Sequence, residues 1–372
     1  MSEDGAVTLT RKDRLNSVIE LIAELKLDRL VLIGNGHHMI DLDNPVAHLV
    51  GYRSVGPALI ALERTGEIRL LASADEEDAV AGLGFSSRTL SRHLLNDLGA
   101  FIGSGKIGLV GLQDAALPLA RAVQSVVEGP QVDRAFYDAT AAKTVEELAA
   151  ARRATFIAEQ GYAYLLDYVR MGMRECDLAI EVNLYMRSLG ANDSFLMLNC
   201  GPRQDAVMPS SERRIEKGDL LLCELSPSVE GQFTQICRTV AIGAAQPIVE
   251  EKYPLLVAAM HEGISRVKPG ARLGDVCAAI DDNLSERGYA QYSRPPFIRR
   301  RGHGLGCGST APGDVSVDND TLLQRGMLFM VHPNQFLPET GYMMCGEPVV
   351  CTQSGFEILS QKTSALAIAK GV

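Results

Sequence analysis

The stretch KGDLLLCELSP at residues 217–227 has a counterpart 108 positions later, RGMLFMVHPNQ at residues 325–335. Each copy begins with a basic residue and a glycine, a pair typical of a turn, and continues as an apolar run typical of a buried strand. Glu224 and His332 occupy equivalent positions in the two runs. Because a polar group in an apolar strand is costly to bury without a partner, both are candidate site residues.

A second pair of similar segments precedes these strands. VRMGMRECDLAIEVNLYMRSLGA at 169–191 resembles VKPGARLGDVCAAIDDNLSERGYA at 267–290, and each copy is typical of a turn, a helix and a glycine stop. A constant offset of 98 relates three pairs of residues: Gly172 and Gly270, Asp177 and Asp275, and Gly190 and Gly288. The two repeats together predict a domain whose halves are related by a pseudo-two-fold axis.

The first part of the chain alternates apolar strands with helical patterns, which is typical of an α/β domain. Residues 28–34, 56–72 and 105–111 are predicted strands, and residues 11–26 and 86–102 are predicted helices. Thr144, followed three residues later by Glu147, forms a capping-box pattern that predicts the start of a long helix. The length of 372 residues favours two domains, which we place at 1–140 and 141–372.

Composition restricts the partners and the compartment. The net charge of −10 disfavours a nucleic-acid partner, because phosphate binding needs a positive surface. No apolar run approaches the roughly 18 residues of a membrane span, and the polar start predicts a cytoplasmic protein with no membrane partner. The eight cysteines form no CxxC pair, which favours reduced thiols over a zinc site.

The segment RRRGHGLGCGST at 299–310 places His303 between three arginines and a run of spaced glycines. Glycines leave little side-chain cover, so a ligand or another backbone can approach the histidine closely. The arginines are typical of a small-anion site or of a salt-bridged loop. The glycine spacing alone does not decide between a functional histidine and a loop histidine.

Several of these segments resemble the pita-bread family of creatinase, prolidase, Xaa-Pro aminopeptidase and methionine aminopeptidase. The resemblance rests on KTVEELAAARRA, RMGMRECDLA, KGDLLLCEL…GQFTQICRTV, GHGLG, RGMLFMVHP and GEPVVCTQSGFEILS. It implies an α/β chain with a creatinase/prolidase-like N-terminal domain, a pseudo-two-fold pita-bread catalytic domain and a homodimer. In creatinase-like dimers the N-terminal domain approaches the partner's site.

The peptidases of this family hold two metal ions on two Asp, one His and two Glu side chains. Carried over to this sequence, the five positions are Glu224, Gln235, His303, His332 and Glu347. Only His303 and Glu347 keep the family's residue type. Because a neutral amide at Gln235 replaces a bridging carboxylate, we expect no two-metal centre. Glu224, His303, His332 and Glu347 could hold at most one zinc, iron or manganese ion.

The resemblance to creatinase, which works without metal, implies a hydrolase acting on a C–N bond of a small, non-peptide, carboxylate-bearing substrate. His303 or His332 would transfer protons, Glu224 and Glu347 would hold a cationic group, and Gln235 would donate an N–H. The arginine candidates for binding the substrate are Arg203, Arg238, Arg299, Arg300 and Arg301, and Arg238 could instead brace Glu347. A lyase on the same scaffold, an Xaa-Pro metallopeptidase and a non-catalytic binding protein stay open.

Overall fold

The computed structural model describes residues 8–36, 38–308 and 311–370. The chain forms two compact units. The first runs from Thr8 to Val145 and includes Cys307, Gly308 and Ala311, and the second contains 146–306 and the chain from Pro312 onward. The junction at Val145 lies five residues after the boundary that the sequence predicted.

The first unit is an α/β layer around one mixed sheet of strand order β4-β3-β2-β1-β5. Strand β1 pairs antiparallel with β2 and parallel with β5. The elements, in chain order, are α1 Arg11–Glu24, β1 Arg29–Gly34, α2 Pro45–Val50, β2 Ala58–Glu63, β3 Ile68–Ser73, α3 Glu77–Val80, β4 Ser87–Ser91, α4 Leu94–Ile102, β5 Ile107–Val110, α5 Leu117–Val126 and α6 Asp133–Ala139.

Local sequence explains how α1 begins and which face it buries. Thr10 and Asp13 form a capping box, in which each side chain accepts a hydrogen bond from the other residue's backbone N–H. Val18, Leu21 and Ile22 follow at helical spacing and are buried. The predicted helix over 11–26 is therefore confirmed.

The predicted helix over 86–102 is wrong in its first half. Residues Ser87–Ser91 form β4, which pairs parallel with β3, and only Leu94–Ile102 is helical. Most side chains of β4 are exposed, so the segment carries no alternation of apolar and polar residues that would identify a strand. Pairing with β3, a contact distant in sequence, decides its conformation.

The second unit holds four long helices and the remaining strands. They are α7 Val145–Tyr168, α8 Glu175–Ser188, β6 Asp193–Gly201, β7 Leu220–Val229, β8 Gln232–Phe233, β9 Ile236–Ile242, α9 Pro247–Ser265, α10 Leu273–Leu284, β10 Gly302–Gly304, β11 Leu328–Val331, β12 Gln335–Leu337, β13 Gly341–Met343, β14 Glu347–Cys351, β15 Phe356–Ile358 and β16 Ala367–Ala369. The larger sheets have the orders β16-β9-β7-β6 and β10-β11-β14-β15. No helix of the described residues is long and apolar enough to cross a bilayer.

The backbone of the second unit repeats as the sequence predicted. Gly172 and Gly270 have φ of 83° and 81°, and Gly190 and Gly288 have φ of 103° and 89°. Glycine is the residue that adopts this left-handed region readily, so its spacing fixes the turns on both sides of α8 and α10. The repeated glycines therefore mark equivalent turns in the two halves.

Hydrogen bonds confirm the same equivalence. The N–H of Gly172 donates to the carbonyl of Ile215, and the N–H of Gly270 donates to the carbonyl of Leu323, both at 2.8 Å. The donors differ by 98 positions and the acceptors by 108, which are the two offsets found in the sequence. The predicted α/β fold with a pseudo-two-fold second domain is confirmed.

Replacing Gly302 with alanine is expected to destabilise the chain by more than about 2 kcal/mol. A Cβ at this position would lie 1.8 Å from the backbone oxygen of Met330, and φ is 154°. Urea unfolding followed by circular dichroism measures the change. Gly355→Ala is the control, because a Cβ there meets nothing within 4 Å and we expect no more than about 0.5 kcal/mol. Equal stability of the two variants would contradict the expected clash.

Candidate active site

Two buried histidines lie side by side on neighbouring strands. His303 is the middle residue of β10 and pairs with Met330 of β11, and His332 follows the last residue of β11. The N–H of His332 donates to the carbonyl of Arg301 at 2.8 Å, which fixes its backbone beside β10. The ring centroids are 5.4 Å apart with an interplanar angle of 61°. The strand pairing therefore brings together two predicted site residues that are distant in sequence.

Both ring nitrogens of His303 face oxygen atoms. Nδ1 lies 2.9 Å from the carbonyl oxygen of Gly304, and Nε2 lies 3.2 Å from Oε1 of Gln235. A protonated imidazole donates to both oxygens. On its other side, Nε2 of the Gln235 amide lies 3.2 Å from the hydroxyl oxygen of Ser226. A neutral His303 ring with its proton on Nδ1 needs this amide rotated by 180°. The amide N–H then donates to Nε2 of His303, and the Ser226 hydroxyl donates to the amide oxygen. Gln235 thus orients His303 in either protonation state.

His332 is held neutral by its surroundings. Burial is the largest cause that lowers its pKa well below 6.5, and the positive charges of His303 and Arg300 lower the pKa further. Within the described part of the chain, its buried Nδ1 has no hydrogen-bond partner. An unpaired buried nitrogen of this kind is available to accept a proton or a hydrogen bond from a ligand.

The lowered pKa of His332 predicts a loss of stability in acid. Since the pKa is lower in the folded chain, the unfolded chain binds the proton first as the pH falls, and the stability present above pH 6.5 declines below it. One such group accounts for up to about 2 kcal/mol between roughly pH 7 and pH 5. We expect His332→Gln to flatten the pH dependence of the free energy of unfolding, measured in urea, relative to wild type. His261→Gln, at an exposed position, is the control, and parallel curves for all three proteins would contradict the prediction.

Glu224 reaches the same region from β7. It pairs with Cys237 of β9, whose thiol lies 3.8 Å from Oε1 of Glu224. A Cβ built on Gly346 would lie 2.6 Å from Cβ of His332 and 3.2 Å from Cβ of Cys237, so His332 and Cys237 both pack closely against Gly346. After burial, the charge of Glu224 is the next cause that raises the pKa of the Tyr342 hydroxyl. Cys237 and Tyr342 are neighbours of Glu224 that sequence reasoning missed, since they look like ordinary strand residues.

Glu347 is engaged elsewhere. Its Oε1 lies 2.8 Å from Nη2 of Arg238, and both its oxygens accept hydrogen bonds from the hydroxyls of Ser360 and Ser364. In the ladder, His303 pairs with Met330 whereas Glu347 pairs with Val331, the next residue along β11. Because successive side chains point to opposite faces of a sheet, Glu347 and His303 face opposite sides.

Arg238 is buried as deeply as its partner. Its exposed fraction is 1%, and its Nη1 donates to the carbonyls of Cys237 and Gly346 at 2.9 and 2.7 Å. Burial lowers the pKa of the guanidinium, but the charge of Glu347 and further buried contacts raise it on balance, so Arg238 carries its positive charge. The structure therefore gives Arg238 a bracing contact with Glu347 and leaves it no exposed surface for a substrate.

The remaining arginine candidates lie in different surroundings. Arg203 is exposed, stacks over Phe336 at 5.3 Å and donates to the carbonyl of Pro338 at 2.9 Å. Arg300 pairs with Asp314 at 2.8 Å on the surface. Arg301 is buried and donates from Nε to Asp281 at 2.7 Å. Arg299 is exposed. None of these side-chain contacts involves the ring of His303 or of His332. The four arginine side chains therefore do not form one cluster with the two histidines.

Comparison with known proteins assigns the family. The model of metallopeptidase family M24 matches residues 149–353, more than half of the chain. The chain belongs to metallopeptidase family M24. This family is one of hydrolases, and its match confirms the resemblance that the motifs carried.

Among curated proteins, an uncharacterized peptidase of Bacillus subtilis, YqhT, is 29% identical over 229 residues, which cover 61% of this chain and 64% of the relative. The Xaa-Pro dipeptidase of Pyrococcus furiosus is 25% identical over 240 residues, covering 64% of this chain and 68% of the relative. The chain thus aligns with about two thirds of the length of these relatives.

Solved structures show the same fold over nearly the whole chain. The prolidase of Pyrococcus horikoshii superposes with a TM-score of 0.84 at 20% identity and covers 95% of this chain and 99% of its own. The Xaa-Pro dipeptidase of Bacillus anthracis superposes with a TM-score of 0.83 at 20% identity, covering 96% and 100%. The likeness therefore includes both units of the fold.

The donor set of this chain does not fit the metal pair that the family name implies. Among the described residues, no group of three or more His, Cys, Asp or Glu side chains is arranged to hold a metal ion. The carboxylate of Glu347 forms an ion pair with Arg238. Gln235 places a neutral amide, not a carboxylate, beside His303. The four residues expected to hold a single ion, Glu224, His303, His332 and Glu347, are likewise not assembled as a metal-binding group in the described part, because Glu347 faces away.

Proposed function

We propose that the chain hydrolyses an amide C–N bond of a small substrate at the site formed by Glu224, Gln235, His303 and His332. The observation that carries the proposal is the neutral, buried imidazole of His332, whose Nδ1 has no partner among the described residues. Membership of a hydrolase family supports the reaction class. The geometry supports a proton-transfer site that needs no metal pair.

In the reaction we propose, a water molecule attacks the carbonyl carbon while Nδ1 of His332 accepts one of its protons. The C–N bond of the tetrahedral intermediate then breaks, and the imidazolium returns that proton to the leaving amine. The surroundings that lower the pKa of His332 make the imidazolium a strong acid, which favours the return step. Gln235 keeps His303 oriented beside it, and Glu224 supplies a carboxylate for a cationic or N–H group of the substrate.

The relatives decide which substrates to test first. They include proteins described as Xaa-Pro dipeptidase and prolidase, so we propose a dipeptide of the Xaa-Pro kind as the substrate. The small non-peptide substrate expected from the creatinase resemblance has no support from the comparisons. A metal-dependent Xaa-Pro peptidase is the second candidate, favoured by the family match and opposed by the donor set.

The test is amine release from a panel of Xaa-Pro dipeptides, other dipeptides and guanidino acids, with protein dialysed against a chelator. We expect cleavage of a dipeptide without added metal, and mass spectrometry of the products should show the addition of water rather than elimination. Turnover that appears only with added manganese would favour the second candidate. Unsaturated products would favour a lyase, and no turnover of any substrate would favour a binding protein.

We also propose a homodimer, which the resemblance to creatinase implies. Light scattering should then report about twice the chain mass of 40.1 kDa at micromolar concentration. A mass equal to that of one chain would overturn this proposal.

A further inference from the structure

A cavity of about 290 Å³ lies in the second unit, lined by a loop and by the facing end of α10. Four of the lining residues are arginines, Arg294, Arg299, Arg300 and Arg301, and one, Asp281, is acidic. The volume falls at the small end of the range for small-molecule sites, roughly 300–1,000 Å³. Glu224, Gln235, His303 and His332 are not among its lining residues, so the cavity is lined by a different set of side chains from the proposed active site.

The charge of the lining is strongly positive although the chain is acidic. Four arginines and one aspartate give the lining residues a charge of +3, whereas the whole chain carries −10. Arg300 is paired with Asp314, but the side chains are 42% and 49% exposed, so the pair is weak and can exchange its partner. Arg299 and Arg294 are exposed at the rim. A concave surface of one sign concentrates ligands of the opposite sign.

The buried member of the group has donor capacity to spare. Arg301 is 1% exposed, and both its Nε and its Nη2 lie 2.7 Å from the same atom, Oδ1 of Asp281. Only the Nε contact has hydrogen-bond geometry, and Nη2 has no hydrogen-bond acceptor among the described residues. Nη1 donates to the carbonyl of Pro333. Because a guanidinium carries five N–H donors and these contacts use only part of them, an anionic oxygen in the cavity can accept a further hydrogen bond from Arg301.

We propose that this cavity binds a small, multiply charged anion bearing phosphate or carboxylate groups. Planar guanidinium groups bind both kinds of oxyanion through paired N–H donors. The burial of Arg301 gives the site a fixed cationic floor, and the exposed Arg294 and Arg299 complete it at the rim. The proposal is independent of the hydrolytic function.

The test is isothermal titration of the full chain with inorganic phosphate, pyrophosphate and citrate at low ionic strength. The variant is Arg294→Ala/Arg299→Ala, which removes two exposed rim charges and leaves the buried Arg301 in place. The matched control is Arg187→Ala/Arg266→Ala, which removes two exposed arginines of the same unit outside the cavity. We expect one anion to bind per chain, with a Kd raised at least about tenfold in the rim variant and changed less than about twofold in the control.

The three probes also identify the ligand class. Tighter binding of pyrophosphate than of citrate would assign the site to phosphate compounds, and the reverse order would assign it to polycarboxylates. The proposal is overturned if none of the probes binds at concentrations up to about 10 mM, or if the rim and control variants lose affinity equally, because the binding is then a general effect of charge.

Discussion

Replacing Arg238 with methionine should lower the free energy of unfolding by about 3–5 kcal/mol. The variant leaves the Glu347 carboxylate buried without its cation, and the carbonyls of Cys237 and Gly346 lose a donor. The side chains of Arg238 and Glu347 are 1% and 3% exposed, so water cannot replace the lost contacts. Urea unfolding monitored by circular dichroism measures the change.

Two further variants separate the ion pair from general packing. Arg238→Met/Glu347→Gln removes the uncompensated charge, and we expect it to be more stable than Arg238→Met alone. Arg152→Met is the control, because Arg152 pairs with Glu357 on the surface at 46% and 42% exposure, and such pairs contribute about 0–1 kcal/mol. Equal losses in Arg238→Met and Arg152→Met would contradict the structural role of the buried pair.

Replacing His332 with alanine should lower kcat by about 10² or more, with the fold intact. The proposed reaction passes a proton through Nδ1 of His332, and no other described side chain forms a hydrogen bond with that atom. His332→Gln preserves most of the volume, so a loss shared by both variants is not a packing effect. His261→Ala removes an exposed histidine of α9 and should keep full activity.

The measurement is steady-state kinetics on the substrate found by the panel, with circular dichroism to confirm folding. We expect the loss to fall on kcat more than on KM, because proton transfer acts in the transition state. Full activity in His332→Ala would limit His332 to a structural role and return proton transfer to His303 and its neighbours.

The repeat in the second unit could be predicted from the sequence because it depends on local features, the glycines of its turns. Gly172, Gly190, Gly270 and Gly288 each stand where the backbone needs a positive φ, and a positive φ strongly restricts the residue type. In contrast, β4 is exposed along most of its length and is set by pairing with β3, which no local pattern records. Elements defined by turns and burial were therefore predictable, and the edge strand was not.

For the candidate site as well, some residues could be predicted from the sequence and others could not. The motif positions of His303 and Gln235 predicted a shared pocket, and the structure brings the two side chains into contact at 3.2 Å. Glu347 has the residue type expected of a ligand, but the register of β11 and β14 turns it toward Arg238. A side chain's direction depends on which residue pairs with which, and the family spacing does not contain that information. Cys237 and Tyr342 were missed for the same reason, because the folding of the chain brings them close to Glu224.

The central claim is that the histidine site works without a pair of metal ions. Metal binding tests this claim most directly. Equilibrium dialysis of the purified chain against manganese, cobalt and zinc, followed by elemental analysis, counts the ions that it holds. The matched comparison is Gln235→Asp/His332→Glu, which restores carboxylates at two positions where the resemblance places them. We predict fewer than two ions per chain in the wild type and a higher occupancy in the double variant. Two tightly held ions per wild-type chain, together with peptidase activity that requires them, would contradict the account.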